Sequence, residues 1–186
     1  LEKRIEREQN VTYKEARVYL DEMSKYGSVL GLNTIRGLLH ELGDPQDNLK
    51  FIHIAGTNGK GSVLAYTSTI LSEAGYRTGR YVSPTVMSYL EKIQVGGTWI
   101  SELDFAQSVE KIKEAIASLK AKGEPLPTLF EAETAMAFLY FRKMHCDMVV
   151  LETGLGGETD ATNIVNNTIC AAFATISVDH LGVIGD

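Results

Sequence analysis

The sequence predicts an α/β fold, a mostly parallel sheet flanked by helices and built around a phosphate-binding loop (a P-loop). Three observations carry that prediction. Four short apolar runs, at 50–56, 77–83, 147–154 and 170–179, are near-continuously hydrophobic, as strands covered on both faces are. Helical periodicity fills the intervals between the first three runs. The first run passes directly into a glycine-rich stretch, "GTNGKGS" at 56–62, and then into a helical pattern.

The elements follow in order. Residues 12–26 read as a helix, with Thr12 and Glu15 at capping-box spacing and Gly27 as its stop. A second helix begins near Asn33, with Ile35, Leu38, Leu39 and Leu42 on one face and Gly43 after it. "GDPQDN" is a loop, and the first strand and the glycine loop come next. Residues 62–74 read as a helix with Val63, Tyr66, Ile70, Leu71 and Ala74 on one side. After the second strand, "EKIQVGGTWIS" predicts an extra hairpin turning at Gly96-Gly97. Two further helices are expected over 101–122, with Phe105, Val109, Ile112, Ile116 and Leu119 as its stripe, and over 128–144. Thr128 and Glu131 satisfy the capping-box spacing, which gives Glu131 a structural reading alongside a site reading. Tyr81 and Trp99 have strand-like settings and are expected to pack in the core.

Composition excludes several functional classes. The chain has 186 residues, 44% hydrophobic and 23% charged, ordinary for a globular domain with a sizeable core. Its net charge of -6 argues against a nucleic-acid surface. No apolar run reaches the roughly 18 residues of a membrane span. The charged start "LEKRIEREQN" does not read as a secretory signal, and the cytoplasm is the expected compartment. Cys146 and Cys170 are isolated and lie in or beside apolar runs, so both are expected as reduced, buried thiols.

The glycine loop carries the chemistry. A strand that ends in such a turn and runs into a helix presents several backbone N–H groups in one concavity. Gly56, Thr57, Asn58, Gly59, Lys60, Gly61 and Ser62 form the loop, with Lys60 as a point charge for the distal phosphates. The loop is shorter than G-x-x-x-x-G-K-[ST] and has a glycine between lysine and serine. Two carboxyl-end positions add to it. Glu152 closes a strand reading "MVVLE", where a carboxylate can hold Mg²⁺, and Ser83 closes the second strand just before Pro84. A second glycine-rich loop, "GLGGETDATN" at 154–163, places Asp160, Thr162 and Asn163 as polar tips near a ligand.

"HIAGTNGKGS" (53–62), "SP" (83–84), "LETGLGGETDATN" (151–163) and "SVDHLGVIGD" (177–186) together resemble the folylpolyglutamate synthase/dihydrofolate synthase family of the Mur ligase superfamily. "SKYGSVLGLNTIRGLLHELGDPQ" (24–46) resembles the segment that precedes the loop there. The resemblance implies an ATP- and Mg²⁺-dependent ligase that joins L-glutamate to dihydropteroate or a folate through an acyl phosphate. It implies Ser83, Glu152 and His180 as magnesium ligands, with Lys60, Glu152 and His180 as the catalytic set and Asp179 behind His180. It further implies Asn163 beside the nucleotide, and Ser83, Pro84, Asp160 and Ala161 beside the acceptor. Departures from the family pattern fall at Thr85, Leu90, Glu158 and Thr159, while Glu91 and Lys92 keep it. The implied organisation is an N-terminal ATP-binding domain over 1–186, acting as a monomer within a longer chain, with 1–11 as a flexible or helical extension. A conventional P-loop kinase or GTPase would show GK[ST], which is absent. A non-catalytic nucleotide-binding module stays open on the residues alone.

Overall fold

A computed structural model describes residues 11–24 and 31–177. The expected extension over 1–11 falls almost wholly outside this range, as do the Gly27 stop, Asp179 and His180.

Helix α1 is Tyr13–Met23 and α2 is Asn33–Glu41. They are followed by β1 (Phe51–Ala55), α3 (Lys60–Glu73), β2 (Thr78–Tyr81), β3 (Ile93–Val95) and β4 (Thr98–Trp99). Helices α4 (Glu102–Lys122) and α5 (Leu129–Lys143) come next, then β5 (Met148–Glu152) and β6 (Thr168–Phe173). The capping boxes at Thr12/Glu15 and Thr128/Glu131 both form, so two helix starts were written into four residues. The strands make one sheet in the order β4-β3-β2-β5-β1-β6. β2, β5, β1 and β6 run parallel, and β3 and β4 are the expected antiparallel hairpin, turning at Gly96-Gly97.

The sheet divides the interior. Phe51, Tyr81, Val149 and Leu151 face a core shared with α1, α2, α4 and α5. Ile54, Val82 and Val150 face Leu64 of α3 on the other side. On the larger side α5 sits against β2 so closely that a Cβ built on Gly79 would lie 2.7 Å from Phe141 Cδ1. Phe141 is fully buried and has nowhere to go. Gly79→Ala is therefore expected to cost about 1–3 kcal/mol, read as a lower urea midpoint at unchanged m-value.

Three expectations about faces are corrected. On α3 the exposed residues include Tyr66 at 74% and Ile70 at 67%, while Leu64 and Ser68 are buried. The reason lies at the helix start. Gly61 sits over Glu152, with a built Cβ 4.0 Å from its Oε2. Once Gly61 faces the sheet, the helical steps of three and four bring Leu64, Ser68 and Leu71 onto that face. Ser68 is tolerated there because its hydroxyl bonds the Ala65 carbonyl at 3.1 Å. Trp99 is 38% exposed, since β4 is the two-residue outermost strand. Cys170 is exposed, because β6 is the opposite edge and all but one of its residues stand open to solvent. Cys146 is buried as expected, and burial pushes its thiol pKa up to about 12.

Candidate active site

The carboxyl ends of β1, β2 and β5 lie together, as they must in parallel strands, and each delivers one predicted element there. β1 delivers the glycine loop. Gly59 is the N-cap of α3 with φ +86°, and no side chain caps the helix. Lys60, Gly61 and Ser62 are thus its first turn, and their N–H groups have no intrahelical acceptor. The helix dipole adds partial positive charge at the same place. Gly56 has φ +139°, and a Cβ there would approach the Thr175 carbonyl oxygen to 3.0 Å, so glycine is required on both counts.

The loop is held from outside. Thr57 N–H donates to the Thr175 carbonyl at 2.7 Å, and the Thr175 hydroxyl donates to the Asn58 carbonyl at 2.9 Å. The Thr57 hydroxyl donates to the Ser177 carbonyl at 3.0 Å and accepts from Ser177 N–H at 3.1 Å. Thr57 N–H is therefore spent on structure. Lys60 Nζ donates to the Gly56 carbonyl at 2.8 Å, curled over its own loop. Lys60, Gly56, Gly154 and Gly157 border a cleft of about 290 Å³.

β5 delivers Glu152, buried, 3.5 Å from the Ser83 N–H through Oε2. Burial raises its carboxyl pKa above the ordinary value, against the pull of the Ser83 N–H, Lys60 and Arg80. β2 delivers Ser83, one half of a cis Ser83–Pro84 peptide, with Pro84 exposed. Ser83 and Glu152 are neighbours and offer only oxygen, the donor type that suits Mg²⁺ alongside phosphate and water. Among the described residues no three His, Cys, Asp or Glu side chains converge as a ready-made metal cluster. His180 lies outside the described residues.

A second cleft of about 230 Å³ opens beside Ser83, bordered by Thr128, Phe130, Glu131, Asp160 and Ala161. It unites three expected acceptor residues, Ser83, Asp160 and Ala161, with two that the sequence left undecided or missed. Glu131 Oε2 caps α5, accepting from Thr128 N–H at 2.7 Å and its hydroxyl at 3.0 Å, while Oε1 is buried without a hydrogen-bond partner. A buried carboxylate oxygen with no donor is costly, and such groups gather at sites. Phe130 had no sequence signal beyond its place in a helical stretch.

The 154–163 loop is organised differently from the polar tips expected of it. Asp160 and Thr162 are buried, and only Asn163 is exposed, donating to the Glu158 carbonyl at 3.2 Å. Asp160 Oδ2 accepts from Leu155 N–H at 2.7 Å, and Oδ1 accepts from Thr162 N–H at 2.9 Å. His53 of β1 reaches the same knot. Burial lowers its pKa, partly opposed by the charge of Asp160. A depressed imidazole pKa contributes stability above the ordinary value near 6.5, and that stability is lost as pH falls through the folded-state value. Unfolding midpoints followed down from pH 7 are expected to drop through this range, and His53→Gln to flatten the drop.

Glu91 and Lys92 are likewise structural in their observed bonds. Glu91 accepts from Val86 and Met87 N–H at 3.1 and 2.8 Å. Lys92 pairs with buried Glu133 of α5 at 2.6 Å, and Tyr89 donates to the same carboxylate. The segment after Ser83 is thereby tied to the core.

No protein-family model matches the chain. Among curated proteins it is 38% identical to a dihydrofolate synthase/folylpolyglutamate synthase of Bacillus subtilis, over 94% of this chain and 40% of that protein. It is 36% identical to a dihydrofolate synthetase of Saccharomyces cerevisiae, over 84% of this chain and 36% of that protein. Among solved structures it matches a folylpolyglutamate synthase from Thermotoga maritima at 41% identity and TM-score 0.82, covering 89% of this chain and 38% of that one. The chain belongs to the folylpolyglutamate/dihydrofolate synthase family. It matches the N-terminal portion of family members and spans about two fifths of their length. A folylpolyglutamate synthase complex with AMPPCP and folate also superimposes, at 30% identity and TM-score 0.87, over 94% of this chain and 43% of that one. The family's mixed, mostly parallel sheet and flanking helices are those described above.

Proposed function

We propose that residues 1–186 form the N-terminal, ATP-binding portion of a ligase that adds L-glutamate to a folate-type acceptor, dihydropteroate or a reduced folate. One observation carries the reading. The open first turn of α3 with Lys60, the Ser83–Glu152 oxygens, and the cleft at Asp160 and Glu131 share one end of the sheet. That arrangement sets a phosphate donor beside a cleft for the group it activates. The relative bound to AMPPCP and folate supports it.

In this reading the amides of 59–62 and Lys60 bind and orient the triphosphate, with Asn163 on the nucleotide side. Lys60 leaves the Gly56 carbonyl to meet the terminal phosphate. The acceptor rests against Ser83, Pro84, Asp160 and Ala161 with its carboxylate toward Lys60. That carboxylate attacks the terminal phosphorus, the bond to the bridging oxygen breaks, and ADP leaves. The glutamate amine then attacks the acyl phosphate carbon, loses a proton and expels phosphate. Ser83 and Glu152, joined by His180, would hold Mg²⁺, which supplies charge neutralisation on the phosphoryl oxygens. Lys60 and the helix amides stabilise the same charge from the protein side. The proposed protein is a cytoplasmic monomer; among the described residues no helix is long and apolar enough to cross a membrane.

The test is ATP-dependent incorporation of labelled glutamate by the full-length protein, each acceptor offered in turn. Incorporation with either acceptor supports the reading, and none with any acceptor overturns it. The 186-residue chain alone is expected to bind nucleotide weakly and add no glutamate.

A further inference from the structure

The knot beneath the second cleft contains a histidine that the proposed chemistry does not use. His53 is buried on β1, and its Nε2 lies 2.7 Å from Thr162 Oγ1, a partner 109 residues away in sequence. Thr162 Oγ1 in turn lies 2.5 Å from Asp160 Oδ1. The directions of these bonds follow from counting protons. An ionised carboxylate only accepts, so the single Thr162 hydroxyl proton goes to Asp160. The threonine oxygen then accepts from His53, and Nε2 must carry a hydrogen. The relay His53 → Thr162 → Asp160 is complete in one direction only, which assigns the ring its Nε2–H tautomer.

The relay has a place as well as a direction. Asp160 also receives the Leu155 and Thr162 N–H groups, so its carboxylate draws the 155–162 stretch into one compact turn. Asp160 and Ala161 are the part of that turn that borders the cleft beside Ser83. Two residues beyond His53, β1 ends at Ala55 and the phosphate loop begins. The wall of one cleft is therefore braced on the strand that launches the other.

We propose that His53, as the Nε2–H tautomer, is a positioning residue for the acceptor: it locks Thr162 and Asp160 so that the Asp160–Ala161 wall is preformed before the acceptor arrives. This rests on the reading of the second cleft as the acceptor site. His53 touches neither substrate in that reading and acts through Thr162. Its loss is expected to weaken acceptor use while leaving the phosphate loop, held separately by Thr175 and Ser177, unaffected.

The experiment uses the full-length protein in two arms. In the first, ¹⁵N-histidine labelling reads the ring by NMR, with a protonated Nε2 and an unprotonated Nδ1 expected for His53. In the second, glutamate addition is measured for His53→Ala, His53→Gln and His53→Asn. Alanine is expected to raise the acceptor KM about tenfold, equal to 1.4 kcal/mol and the scale of one lost hydrogen bond, with the ATP KM within about twofold. Glutamine, whose amide nitrogen reaches the Nε2 position, is expected to recover most of the loss, and the shorter asparagine is not. An Nδ1–H tautomer overturns the proposal, as does a parallel rise in both KM values or a glutamine variant no better than alanine. A wild-type protein that adds glutamate to no acceptor overturns the ligase reading and this proposal together, whereas the preceding results overturn this proposal alone.

Discussion

Lys60→Ala is expected to lower ATP-dependent glutamate addition by the full-length protein about 10²–10³-fold, the scale of removing one preorganised charge from a phosphoryl-transfer site. Two features of the structure set the size of the effect. The Lys60 ammonium is already above the loop, 2.8 Å from the Gly56 carbonyl, so little ordering is needed to reach a phosphate. It is also the cation in the loop, where the remaining donors are backbone amides with partial charge only. Lys60→Arg is not a conservative control at this position, because a planar fork cannot occupy the point-charge position of an ammonium. The measurement is kcat and KM for ATP at saturating acceptor and glutamate. Unchanged kcat and KM would remove Lys60 from the mechanism and leave the loop as a nucleotide-sensing element.

Glu152→Gln is expected to act in opposite directions on activity and on stability. Glutamine keeps the shape but loses the negative charge that would hold Mg²⁺ with Ser83, and activity should fall by at least 10²-fold, not restored by added Mg²⁺. Stability should rise. Burial holds the Glu152 carboxyl above its ordinary pKa, so the folded protein favours the protonated form more than the unfolded chain does. That preference stabilises the fold below the ordinary carboxylate pKa and is lost as pH rises through the folded-state value. Above that value the wild-type protein carries the cost of a buried charge, and a neutral amide does not. Urea denaturation of both proteins at pH 7 without Mg²⁺ should place the variant's midpoint higher, and the gap should close as pH is lowered. A lower midpoint for the variant would mean that Lys60, Arg80 and the Ser83 N–H outweigh desolvation.

Much of this was written locally. The glycine loop, the two capping boxes and the Gly96-Gly97 hairpin are each specified by neighbours in sequence, because φ > 0, cap spacing and turn chemistry are local demands. The parallel sheet was legible from runs such as "FIHIA" and "MVVLE", which make sense only with both faces covered. What failed was decided at a distance. The face of α3 depends on Gly61 sitting over Glu152, and no periodicity within 62–74 contains that fact. Trp99 and Cys170 looked like core residues because strand pattern does not say which strand is outermost. Asp160 and Thr162 were legible as polar positions after glycines, and Asp160 does border the second cleft, but their burial in one knot was not legible. His53, which bonds Thr162, lies on another strand, and its own sequence context gave no hint of it. The Lys92 ion pair was not legible either, with Glu133 41 residues away.

The clasp between 57–58 and 175–177 has a consequence of its own. Any guest that steadies the glycine turn must also quiet the residues that leave β6, since they share four hydrogen bonds; in the proposed function the exit of the outermost parallel strand is in effect part of the nucleotide's seat. Its solvent exchange is thereby linked to occupancy, so a strand that contributes no side chain to the proposed chemistry still reports whether the seat is filled.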